Sequence, residues 1–263
     1  LSFVCIFVSL TGCLPAPGKE TVNDSFDKFT LSLFQQEVSS NTINLHYTLR
    51  TPSEYGILDS PVTYGSYTTD SVSVMATVEN CQAALEAFPY NSLTEENQLT
   101  YDVLHEYLSL AKEGAKYLLY DEPLSPITGI QAQLPVLLAE YRFYDAKDVE
   151  TYLSLIQTTP EYFASLIDFE REKSKKGLFL SDDVADSVLE QCKSFVSLGN
   201  ENYLLTTFEE RVNALDTLSA EEKASYIKQN KNVIENFMLP AYETLINALN
   251  ELRRTGGDTA GVC

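Results

Sequence analysis

The chain has 263 residues, 38 acidic against 18 basic for a net charge of −20, with 44% hydrophobic residues, no Trp and two His. This composition excludes wholesale disorder and is large enough for one big core or two modest ones. A surface this acidic repels phosphate backbones, so nucleic acid is not expected as a partner.

The first ten residues, Leu1-Ser-Phe-Val-Cys-Ile-Phe-Val-Ser-Leu10, form an apolar run. The run is too short to span a bilayer but has the length of the apolar region of a signal peptide. Neither Met nor a basic stretch precedes it, so the start is expected to be truncated. Leu10-Thr11-Gly12-Cys13 then has the form of a bacterial lipobox: an apolar residue, two small ones and the Cys that is acylated. Residues 1–12 are therefore predicted to be a lipoprotein signal peptide, Cys13 the lipid attachment site, and 13–22 a tether in which Pro15 and Pro17 oppose early helix formation. Two acyl chains hold a protein stably at a membrane, which implies an exported, envelope-anchored location with the membrane as partner.

Residues 23–263 are predicted to be all-α. Asn23 or Asp24 is the expected cap of a segment carrying Phe26, Phe29, Leu33 and Phe34 at helical spacing. Thr42–Leu49 is a second short helix, Thr51-Pro-Ser-Glu-Tyr-Gly56 punctuates the chain, and 57–68 read as loop before a helical stretch from Thr69 to Phe88. Ser92-x-x-Glu95 has the form of a capping box. The helix it would open places Leu99, Val103, Leu104, Tyr107, Leu108 and Ala111 on one side. Val149, Tyr152, Leu153 and Ile156 repeat at helical spacing, and Pro160 suits a first helical turn. Ser181 is the expected cap of a helix bearing Ala185, Val188, Leu189, Cys192, Phe195 and Val196, closed by Gly199-Asn200. Ser219-x-x-Glu222 is a second capping box, and Tyr242, Leu245, Ile246, Leu249 and Leu252 continue the pattern to Gly256-Gly257. Val188, Leu189, Phe195 and Ile246 are expected in the core. The Gly-rich end has no closing element, so the C-terminal side is expected to be truncated too.

Few residues suggest chemistry. His105-Glu106 begins like the zinc motif H-E-x-x-H, but the second imidazole is replaced by Ser109 and the other His, His46, lies in a different segment. His105 therefore reads as a helix-surface or cleft residue, and no metal ligand is assigned. Ser25-x-x-Lys28 and Ser225-x-x-Lys228 match a short serine–lysine pattern without its companion motifs, and no catalytic residue is assigned. The pairs Asp182-Asp183, Glu209-Glu210 and Glu221-Glu222 suit first helical turns or polar faces. Cys5 would leave with the signal, and Cys81, Cys192 and Cys263 are widely spaced with no C-x-x-C. Cys192 reads as a small core residue, and a Cys81–Cys192 bridge is permitted by an exported location without being required.

The stretch Pro126-Ile-Thr-Gly129-Ile-Gln131-Ala-Gln133-Leu-Pro135, continuing to Tyr141 and Tyr144, is less regular. It sets two amides in apolar surroundings. Either it is a buried crossover whose amides satisfy free backbone groups, or Gln131, Gln133 and Tyr141 line a substrate cleft.

Several stretches together resemble a family of bacterial lipoproteins known as domain of unknown function 885. They are Phe29–Val38, Leu45–Ile57, Gly129–Tyr141, Glu170–Phe179 and Leu239–Leu245, in order over residues 22–263. The resemblance implies an α-helical, clamshell-like zinc metallopeptidase of the gluzincin type, whose H-E-G-x-P-G-H-like metal helix belongs to a C-terminal half that this chain lacks. No catalytic residue or zinc ligand then carries over to these residues, and zinc is implied for the complete protein only. The chain is expected to be inactive alone and to form one wall of a peptide-binding cleft completed by the missing half. The alternative is a non-catalytic surface binding or scaffold lipoprotein.

Overall fold

The structure, a computed structural model, describes residues 20–256. Eleven α-helices are found there, with no strand among the described residues: α1 Val22–Ser39, α2 Thr42–Thr48, α3 Ser71–Glu86, α4 Glu95–Gly114, α5 Ile130–Glu140, α6 Ala146–Gln157, α7 Thr159–Lys175, α8 Asp182–Ser197, α9 Tyr203–Asn213, α10 Ala220–Val233 and α11 Leu239–Gly256. The all-α expectation holds. No helix among these residues is long and apolar enough to cross a membrane.

Local chemistry accounts for most of the helix ends. Ser219 and Glu222 form the capping box expected at α10, and Asp145 caps α6 by accepting from the Asp148 amide. Two expected caps shift. The cap of α1 is Thr21, with Asp24 at the third helical position, where its carboxylate accepts from the Thr21 amide at 2.9 Å. The cap of α4 is Thr94, not Ser92, which lies in a short 3-10 turn. Asn23 selects that register: its side chain accepts from the Thr94 amide at 2.9 Å and donates to the Ser92 carbonyl at 3.2 Å.

Two apolar cores form. The larger packs α5 to α11 around α11, which lies against α7 and α8. Val149, Tyr152, Leu153 and Ile156 on α6, and Val188, Leu189, Cys192 and Phe195 on α8, are all buried in it. Ile246 is half-buried at its edge. The smaller core holds Phe26, Val78, Leu85, Leu93 and Leu108, from α1, α3, α4 and the link between α3 and α4. Phe26 meets Phe88 edge-on at 5.2 Å within it. Cys81 and Cys192 are free thiols.

Two prolines shape the helices that join at the larger core. Pro240 has no amide hydrogen, and its ring would crowd the carbonyl four residues back. The chain widens there into a π-helical turn at Ile234–Met238 between α10 and α11. Pro135 lies inside α5 and leaves the Gln131 carbonyl without its helical donor. The buried Tyr242 hydroxyl of α11 donates to that carbonyl instead, at 2.7 Å.

Candidate functional site

Cys13 and the lipobox lie outside the described residues. Of the other expected site residues, Gln131 is buried, Gln133 is exposed and Tyr141 is buried. Gln131 and Tyr141 stand at opposite ends of α5, about 15 Å apart by helical rise, so they do not converge on one small group. Both amides face the loop 121–129. Gln131 Nε2 donates to the Ser125 carbonyl at 2.6 Å and to Gln191 Oε1 at 2.7 Å, and Gln133 Nε2 reaches the Ile127 carbonyl at 3.4 Å. Gln191 ties the Pro126 carbonyl at 2.8 Å, and Lys173 Nζ ties that of Asp121 at 2.7 Å. The loop is thus held by its carbonyls from α5, α7 and α8.

Lys173 has a buried neighbour one turn back, Glu170, at 3.8 Å. The two Glu170 oxygens have no hydrogen-bond partner. Burial pushes the Glu170 carboxyl up to about 7, with Lys173 opposing and Glu122 and Asp121 adding to the rise. Burial outweighs the attraction of the lysine because the ammonium is directed to the Asp121 carbonyl.

Tyr141 closes α5 and packs face to face on His46 of α2, with ring centres 3.6 Å apart. His46 Nε2 accepts from the Arg142 amide at 3.1 Å, which leaves the ring proton of the neutral tautomer on Nδ1. Burial, then the charge of Arg142, lowers the imidazole to about 4, so it is neutral at physiological pH. Next to it, the Tyr47 hydroxyl donates to the Leu137 carbonyl at 2.7 Å, and the Arg50 guanidinium lies over the Tyr144 ring at 5.0 Å. The sequence reading found Tyr141 but missed His46, Tyr47 and Arg50, which lie some 90 residues earlier. The only signal was that both stretches fell among the family-like segments.

A second feature is an open apolar groove of about 700 Å³ between α1, α3 and α4, lined by Leu33, Phe34, Val78, Cys81, Leu99, Val103 and Tyr107 among others. The apolar side of α4 faces this groove, with Leu99 66% and Val103 61% exposed. The helix does present this apolar stripe, and of it the smaller core takes up Leu104, Leu108 and Ala111.

The described residues do not fit zinc. Among those described, no three His, Cys, Asp or Glu side chains converge as a metal site. His105 instead lies 3.5 Å from Glu86, and the Ser109 hydroxyl, where a second imidazole would be required, donates to the His105 carbonyl at 2.8 Å.

The described residues form an all-helical fold with a large core around α11, an aromatic face carrying Arg50 at the end of α5, and an open groove between α1, α3 and α4. The chain belongs to the family of bacterial proteins of unknown function DUF885, whose sequence profile matches residues 68–261. A crystal structure provisionally described as that of a lipoprotein from Colwellia psychrerythraea shares the fold, with a TM-score of 0.74 at 14% identity over 91% of this chain. The likeness spans 43% of that protein's length. No curated protein matches this chain.

Proposed function

We propose that this chain is the helical, substrate-facing part of an exported, lipid-anchored protein whose complete form is a zinc-dependent peptidase. The observation that carries the anchor is Leu10-Thr-Gly-Cys13 directly after an apolar run. Its support is the family and the shared fold with a protein described as a lipoprotein. The peptidase part rests on the sequence resemblance alone. The described residues offer no zinc site, so none of them is assigned to a metal and no catalytic step is assigned to this chain. In this reading the segment from Gly129 to Tyr144 forms part of a cleft wall. Gln131 and Tyr141 brace it from within, and Gln133 is the member of the three open to a ligand.

The groove between α1, α3 and α4 favours a second reading, a surface lipoprotein that binds an apolar ligand without chemistry. Reading the gene beyond Cys263 separates the two: a downstream H-E-x-x-H supports the peptidase and its absence the binding protein. The experiment on the protein compares this chain with the complete one for zinc content and for release of amino acids from a peptide mixture. Both properties confined to the complete protein support the proposal. Stoichiometric zinc in this chain, abolished by His105→Ala, would overturn the placement of the metal.

A further inference from the structure

We propose that the groove between α1, α3 and α4 is a docking site for a cationic, amphipathic peptide, bound as a helix with its apolar face inward and its basic residues toward an acidic rim. This narrows the apolar-ligand reading of the groove and rests on it, and it needs neither zinc nor the lipid anchor.

Packing builds the groove. α1 and α3 each lie against α4. The floor is the outer edge of the smaller core, at the buried Val78 and Leu108. Leu33 and Phe34 of α1, Cys81 of α3, and Leu99 and Val103 of α4 line it above that floor. A single apolar side chain at a surface means little. These converge on one open space of about 700 Å³, which is the size of a ligand pocket.

The dimensions select the ligand's shape. From Leu99 to Leu108 the α4 wall rises about 14 Å, or about two and a half helical turns. That length seats three anchors of a docked helix, spaced at i, i+3 or i+4, and i+7. An extended peptide would need a sheet edge to pair with, and the described residues contain no strand.

Charge selects the ligand's sign. No basic residue lines the groove, and Glu37 does. Asp27 lies one turn before Thr30, another lining residue, and accepts from Asn97 Nδ2 between α1 and α4 at 2.9 Å. Glu96 lies one turn before Thr100, whose hydroxyl donates to the Glu96 carbonyl at 3.2 Å. All three carboxylates are on exposed residues, and Asp27 and Glu37 are about 15 Å apart along α1. The three helices carry ten acidic residues and two basic ones. Both lysines already have partners, Lys28 with Glu20 at 2.5 Å and Lys112 with Glu79 at 2.9 Å. Such a field attracts a cation and repels anionic headgroups. It also disfavours a second copy of the chain, whose own groove would set like charge against like.

The test uses the full chain, with displacement of the neutral dye Nile red and direct fluorescence anisotropy. The probe is an amidated peptide of about twelve leucines and lysines in helical order. One control has the same composition in strict alternation, and another has glutamate in place of lysine. The basic helical peptide is expected to bind in the micromolar range and displace the dye, the alternating one at least about tenfold more weakly, and the acidic one not at all. Leu99→Gln and Val103→Gln should each weaken it about tenfold while keeping the wild-type circular dichroism spectrum, because both side chains are exposed. Ile127→Gln, at an exposed apolar residue elsewhere, should leave binding unchanged. Glu37→Lys and Glu96→Lys should weaken binding severalfold and reduce its loss with added salt, whereas Glu190→Lys on α8 should do neither. Dye uptake without peptide binding would overturn the proposal and leave the apolar-ligand reading standing; binding of neither would overturn both. Equal binding of basic and acidic peptides, equal binding of helical and alternating order, or an affinity indifferent to Leu99 and Val103 would also overturn it. So would phosphatidylcholine vesicles, or a second chain in a dimer, taking the groove in place of the peptide.

Discussion

The contact between Tyr242 and the Gln131 carbonyl exists because Pro135 cannot donate, and that dependence can be measured. Tyr242 is wholly buried, its ring lying 4.9 Å from Phe163 and 4.5 Å from Phe195 between centres. Tyr242→Phe keeps the ring and its packing and removes the hydroxyl that donates at 2.7 Å. The Gln131 carbonyl is then left in the interior with no donor from its own helix, at a cost of about 1–3 kcal/mol. Pro135→Ala restores an amide hydrogen at the position from which α5 would satisfy that carbonyl. In that background Tyr242→Phe should cost only about 0.5–1 kcal/mol, the net worth of an ordinary hydrogen bond. The difference is a coupling of about 1–2 kcal/mol, readable in a double-mutant cycle of urea unfolding followed by circular dichroism. Equal losses from Tyr242→Phe in both backgrounds would refute the reasoning, because the carbonyl would then not depend on the phenol.

Further expectations concern other parts of the chain. A Cβ at Gly129 would overlap the Ser125 amide nitrogen and carbonyl oxygen, so Gly129→Ala should destabilise by about 1–3 kcal/mol. Gly114→Ala, with nothing within 4 Å, should stabilise by about 0.5–1 kcal/mol, and urea midpoints moving in the same direction would contradict this pair. Phe195→Ala should cost about 3–5 kcal/mol by thermal or urea unfolding, since its ring is buried against Tyr242. Burial raises Glu170 from 4.5 to about 7, so its contribution to stability is complete below the unfolded value and is lost as pH rises through the folded one. Unfolding free energy should therefore fall by on the order of 3 kcal/mol between about pH 5 and pH 8, and Glu170→Gln should flatten that slope. Cys13→Ala in the full precursor should release the protein from membranes; unchanged partition without acyl mass on the N-terminus would rule out lipid attachment there.

The helices were legible because their causes are local. The capping box at Ser219 and Glu222, and the apolar repeats of α6 and α8, act within a turn or two and need no distant partner. The crossover character of Gly129–Tyr144 was half legible. Gly129, Pro135 and two amides in an apolar stretch indicated free backbone groups, but not that Tyr242, 111 positions from Gln131, would satisfy one of them. Where a local signal pointed to a cap, a distant contact could still shift it. Ser92 was the expected cap, and Asn23 of α1, bound to the Thr94 amide and the Ser92 carbonyl, moved it to Thr94. The stripe of α4 shows the limit most plainly. Periodicity states which face of a helix would gain by burial, while exposure of Leu99 and Val103 depends on whether another element reaches them. The surface around Tyr141 was not legible for the same reason. His46 and Arg50 meet Tyr141 and Tyr144 only because α2 docks on the end of α5, and such long-range contacts are set by the packing of whole helices, which no short window of sequence contains.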